Sequence, residues 1–138
     1  MVRALIGILT CVMLAGCGAQ GEAYQPTPPP AAKSVIYIYR PYKFLSSQAN
    51  PMITCGHESI ELEAGGYYRF EEESEQVTCS VAGDAKSEYK FDAHAGEEYF
   101  IREEVDTSGL STQTRFGLVN KAVGHDEIAE CNRQGIKQ

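Results

Sequence analysis

The 138-residue chain carries 12 Lys and Arg against 19 Asp and Glu, a formal net charge of -7. An acidic chain with no Lys/Arg cluster argues against nucleic-acid binding and against attachment to anionic lipid through a polybasic patch. The roughly 105 residues from Ser34 onward suffice for one small core and fall short of two.

The first element is a leader. Arg3 opens it, an apolar run follows from Ala4 to Leu14, and the small residues Ala15 and Gly16 precede Cys17. A membrane-spanning helix needs about 20 apolar residues, so residues 1–16 read as a removable signal peptide. Leu14-Ala15-Gly16-Cys17 resembles the lipobox of bacterial lipoproteins. That resemblance implies a diacylglyceryl group on the Cys17 thiol, cleavage before Cys17 and acylation of the new amine. Several acyl chains anchor stably where one is marginal, each buried CH₂ contributing about 0.8 kcal/mol. The rival is an ordinary secretory signal that a cysteine happens to follow. Gly18, where lipoproteins kept at the inner membrane carry Asp, implies the outer membrane, facing the periplasm.

Residues 17–33 hold the candidate lipidated Cys17 and then Pro26, Pro28, Pro29 and Pro30, without apolar periodicity. They read as a tether. In polyproline II, at about 3.1 Å per residue, it would hold a domain up to roughly 50 Å from the membrane. A recognition role for the proline run is the alternative.

From Ser34 to Gln138 the texture is that of a β domain. Val35–Arg40 is apolar on both faces and ends at Pro41, which suits a central strand. Pro51–Cys55 and Ser59–Leu62 flank Gly56-His57 as a hairpin, and Gly65-Gly66 supplies the next turn. Tyr67–Phe70 and Gln76–Val81 follow as strands around a polar tip at Glu71–Ser74. Tyr89–Ala93 and Tyr99–Val105 read as a pair around Ala95-Gly96, and Thr112–Val119 as the last strand, broken afterward by Gly124. A short helix is expected over His125–Gln134, with Asp126 and Glu127 near its start. The expected fold is mainly β, a small antiparallel β-sandwich with a short C-terminal helix.

With Cys11 in the leader and Cys17 taken by lipid, Cys55, Cys79 and Cys131 remain. In an oxidising compartment three thiols allow one disulfide and one leftover. Cys55 shares the parity of Ile53, and Cys79 that of Val77 and Val81, so both point inward and can pair. Cys131 stays open as a partner for either.

The succession Val35-Ile36-Tyr37-Ile38-Tyr39-Arg40-Pro41, a hairpin, Gly66-Tyr67-Tyr68 and then Ala95-Gly96-Glu97-Glu98-Tyr99-Phe100-Ile101 resembles the DUF2846 family of small bacterial lipoproteins. The resemblance covers most of residues 34–130. It implies a compact sandwich related to carboxypeptidase-regulatory and PEGA-like modules, in an envelope protein without an established activity. Cys55-Gly56-His57 stands where the family carries an Asp-Gly-type turn, and the strand around Cys79 lacks the family's His-containing Pro-Gly entry.

Catalytic and metal motifs are absent from the sequence. His57, His94 and His125 form no His-x-x-x-His pair, and neither a Gly-x-Ser-x-Gly elbow nor an Asp-x-Asp-x-Asp-Gly calcium loop occurs. His94 with Glu97 and Glu98 is the nearest approach to a histidine–acid cluster. Glu71-Glu72-Glu73 and Glu103-Glu104 are adjacent acids that a strand sends to opposite faces, so they read as solvated edges and not as a glycosidase pair. No catalytic residue, metal ligand or cofactor is assigned. Tyr42-Lys43-Phe44, after Pro41, is the candidate contact patch for an envelope protein or the cell wall. The expected role is non-enzymatic binding or structural contact. The rivals are a small envelope hydrolase or thiol enzyme built on Cys131, and a small-ligand-binding sandwich.

Overall fold

The computed structural model describes residues 21–133 apart from Phe44, Ser46, Ser47, Ser74 and Ser108. The leader and Cys17 therefore lie outside the described residues, as does Phe44 of the candidate patch. Among the described residues, nine strands, β1 (Ser34–Tyr39), β2 (Met52–Cys55), β3 (Glu58–Glu61), β4 (Gly66–Glu72), β5 (Gln76–Val81), β6 (Asp84–Asp92), β7 (Glu98–Asp106), β8 (Gln113–Val119) and β9 (Asn132–Arg133), accompany one helix, α1 (Lys121–Ile128). They form a five-stranded sheet in the order β8-β7-β1-β4-β9 and a four-stranded sheet in the order β3-β2-β5-β6.

All six residues of β1 are buried, because its sheet is covered on both faces. Ile36 and Ile38 meet Ile53, Ile60, Phe91 and Val77 of the other sheet across the sandwich. Val35, Tyr37 and Tyr39 point the other way, where Phe100, Tyr67, Ile128 and Cys131 form a second core. The mainly β sandwich with a short C-terminal helix is thus observed. Within it, β1 runs parallel to β7 and β4 parallel to β9, while the remaining pairings are antiparallel.

The local pairings differ from expectation at two turns. β4 and β5 lie in different sheets, as do β6 and β7, so the connections at residues 73–75 and 93–97 are crossings and not hairpin tips. The two crossings are tied together by Ala93 N donating to Glu75 O. Each crossing lets neighbouring apolar strands cover opposite sides of one core, which a local hairpin cannot do. β6 also begins earlier than its aromatic residues indicate. Its polar first half is an edge, hydrogen-bonded to β5 after the turn at Gly83.

The helix starts at Lys121 and ends at Ile128, not over His125–Gln134. Asn120 caps it, its side chain accepting from Val123 N at 3.0 Å, which satisfies one of the donors a helix start leaves free. Gly124 is inside the helix because the helix rests on Phe100 there.

The segment read as a tether is partly fastened to the domain. Ala23 bridges Asn132. Tyr24 sets its ring edge-on to Tyr37 and Tyr67, with centroids 5.4 and 5.9 Å away. Residues 23–33 therefore run along the outer face of the five-stranded sheet before turning into β1. This removes most of the reach of a fully extended spacer.

Cys55 and Cys79 face each other across β2 and β5 and form a disulfide, fully buried in the inter-sheet core. Cys131 is a free, buried thiol, so it is not the alternative partner. In the loop-entropy picture, a crosslink across 24 residues contributes about 3 kcal/mol. The Cys55→Ala/Cys79→Ala variant is accordingly expected to unfold at a lower urea concentration. A midpoint unchanged from the oxidised wild type would show that the bridge contributes nothing.

Candidate functional site

The chemistry-bearing residues gather at three places, of which the end of the sandwich where β1 finishes is the richest. Arg40 continues the parity of Ile36 and Ile38, so its side chain enters the layer between the sheets and is only 1% exposed. Its Nη1 donates to Ala49 O, Asn50 Oδ1 and Leu62 O at 2.5, 3.2 and 3.2 Å, pinning two loops. Next to it on β7, Glu103 follows the same inward parity as Tyr99 and Ile101 and is equally buried. Neither of its carboxyl oxygens has a hydrogen-bond partner among the described residues. Burial pushes the Glu103 carboxyl up to about 8, with Arg40 pulling it the other way. The expectation that Glu103-Glu104 forms a solvated acidic edge therefore holds for exposed Glu104 and fails for Glu103.

Pro41 then turns the chain outward. Tyr42 is 50% exposed and Lys43 is exposed beside it, as the candidate patch requires. Beneath them lies a cleft of about 160 Å³ lined by Pro41, Tyr42, Glu127, Glu130 and Cys131. The Cys131 thiol points at Glu127 O and Arg40 O, 3.7 and 4.0 Å away. Burial pushes it up to about 11, so it is a neutral thiol where a nucleophile or metal ligand would need the thiolate. Glu127 accepts from Arg102 Nη1 at 2.8 Å and from the Tyr39 hydroxyl, which burial and Glu127 together hold far above its ordinary range.

The second place is the outer face of the five-stranded sheet. His125 is engaged at both ring nitrogens, by the Tyr24 hydroxyl at Nδ1 (2.6 Å) and Glu98 Oε1 at Nε2 (2.9 Å). The sequence-adjacent cluster is split accordingly. Glu98 goes to His125, Glu97 to Lys121 Nζ at 2.6 Å, and His94 is held through its backbone N–H donating to the Tyr99 hydroxyl.

The third is an open cleft of about 400 Å³ at the opposite end, lined by Lys33, His57, Glu71, Glu72 and Glu73. Strand alternation buries Glu72 and turns Glu71 and Glu73 toward Lys33. His57 Nδ1 sits 2.9 Å from Glu72 Oε2. Among the described residues no three His, Cys, Asp or Glu side chains are placed to hold a metal ion.

Sequence reasoning missed Tyr24, Arg40 and Glu103. The last two carry a readable signal, a charge on the inward parity of an otherwise apolar strand. Tyr24 carries none, since its partners come from β1, β4 and α1. Comparison with protein-family models, with curated proteins and with solved structures gives no match.

Proposed function

We propose that the chain is a lipid-anchored lipoprotein of the bacterial cell envelope, acylated on Cys17 and held at the outer membrane facing the periplasm. Its sandwich serves binding or structural contact with an envelope protein or the cell wall, not catalysis, and it is grouped with DUF2846. The observation that carries this is the short apolar leader ending in Leu14-Ala15-Gly16-Cys17. The exposed Tyr42 and Lys43 support the contact role. The thiol-enzyme rival is weakened by the buried, protonated Cys131 and by the engagement of both His125 nitrogens.

Metabolic labelling with palmitate tests the anchor. The wild-type chain is expected to incorporate label and to give an intact mass that begins at Cys17 with its acyl groups. Cys17→Ser is expected to lose the label to background. A mature chain cut elsewhere, or label that survives Cys17→Ser, would remove the reading.

A further inference from the structure

The strap formed by residues 23–33 sets the end of the sandwich from which the chain leads back toward Cys17. β1 and β4 are antiparallel, with Ser34 opposite Glu72 at one end and Tyr39 opposite Tyr67 at the other. Lys33 turns into β1 at the first end. Ala23 is bridged to Asn132, which pairs with Gly66 at the second. Gly21 therefore emerges at the end where β1 finishes, and residues 18–20 lie between it and Cys17. Fully extended, the four residue steps from Cys17 to Gly21 would span about 14 Å.

That same end carries most of the exposed large apolar side chains. Six are found among the described residues, and Tyr42, Leu45, Met52 and Leu110 share this end, at 50%, 88%, 43% and 111% relative exposure. Tyr42 and Leu45 stand on the loop after β1, Met52 opens β2, and Leu110 is on the loop between β7 and β8. Thr107 Oγ1 donates to Leu45 O at 3.1 Å, joining the two loops. Such a cluster marks a contact surface. Glu61 pairs with Met52, and Asp84 and Asp106 stand at the same end of their strands, so acids outnumber Lys43 there and an anionic membrane is disfavoured.

We propose that this end rests on a bilayer of zwitterionic headgroups, with Leu45 and Leu110 entering the headgroup–acyl boundary as a second lipid contact beside the acyl chains. The inference rests on the lipid-anchor reading and deepens it. The domain is held against the surface, where a free tether would let it stand away. The short covalent link makes the loops' encounter with lipid intramolecular, so even a weak apolar contact is populated.

The chain contains no Trp, which gives a clean probe. Leu45→Trp, Leu110→Trp and, at the opposite end, Glu73→Trp would each be made in the full chain, purified from membranes and reconstituted into phosphatidylcholine vesicles with or without brominated acyl chains. Vesicle flotation and intact mass report the anchor separately from the fluorescence. Bromine is expected to quench Leu45→Trp and Leu110→Trp at least about twofold more than Glu73→Trp. If the protein floats with its acyl mass and all three probes are quenched alike or not at all, the docking is wrong and the anchor stands. If it carries no acyl groups and does not float, the anchor reading fails and the docking falls with it. Emission at Leu45→Trp that shifts with protein concentration but not with brominated lipid would assign this end to a second copy of the chain and overturn the proposal.

Discussion

Relative to a Glu103→Gln variant, the wild-type protein is expected to lose on the order of 4 kcal/mol of unfolding free energy as pH rises from about 4.5 to about 8. The sign follows from where the proton is held. The ordinary carboxyl value is 4.5, and burial raises the folded-state value to about 8. In that window the folded protein keeps a proton that the unfolded chain releases, so each step up in pH favours unfolding. The contribution is fully present below about pH 4.5 and is lost as pH passes the folded-state value. At about 1.4 kcal/mol per pH unit the full difference between the two values is roughly 5 kcal/mol, of which about 4 falls inside this window because each state is half-titrated at its own value. Gln keeps the shape and cannot titrate, so subtracting its stability profile removes the background of the other acids. Urea midpoints of both proteins at intervals from pH 4.5 to 8.5 make the measurement. Parallel profiles would mean that Glu103 is ionised beside Arg40 throughout, as a buried ion pair in which attraction outweighs desolvation.

Glu103 also shows where the sequence was legible and where it was not. The run of apolar residues on both faces of β1 indicates a central strand, and the parities of Ile53 with Cys55 and of Val77 with Cys79 indicate two inward cysteines from the two-residue period of a strand. The same period applied to Tyr99, Ile101, Glu103 and Val105 places Glu103 inside, yet composition suggests a solvated acid. The pairings around residues 73–75 and 93–97 were not legible. A polar turn between apolar strands looks the same whether the second strand returns beside the first or crosses to the opposite sheet. Only the need to cover both sides of a shared core decides between them. Tyr24 was hidden for a similar reason, since a lone aromatic in a proline-rich stretch shows nothing of the rings it will meet. At the candidate contact end, Tyr42 and Lys43 were readable from the proline that breaks the strand. Leu45 and Leu110 joined them only once the topology brought two loops together.

The second large effect is expected at Gly124, where helix propensity and packing point in opposite directions. Helix propensity alone makes Gly124→Ala stabilising by about 1 kcal/mol. A Cβ at this position, however, would lie 2.2, 2.5 and 2.7 Å from Cγ, Cβ and Cδ1 of Phe100. Those atoms form the root of a side chain fixed on β7 and stacked on Tyr37 with ring centroids 5.0 Å apart, so they cannot swing aside as a flexible tip would. The helix must instead lift from the sheet, loosening the Glu127–Arg102 and His125–Glu98 contacts. Overpacking of this kind costs about 1–3 kcal/mol, and with three contacts this short the upper part of that range is expected, enough to reverse the propensity gain. Gly117, with nothing among the described residues within 4 Å of its Cβ position, is the control, and Gly117→Ala is expected to change stability by less than about 0.5 kcal/mol. In a Phe100→Ala background the obstacle is gone, so Gly124→Ala should become neutral or stabilising. That coupling, measured as a double-mutant cycle of urea midpoints, separates a steric cause from a general dislike of substitution in α1. If Gly124→Ala stabilises the wild-type protein, the helix does not sit on Phe100 as described, and propensity governs the position.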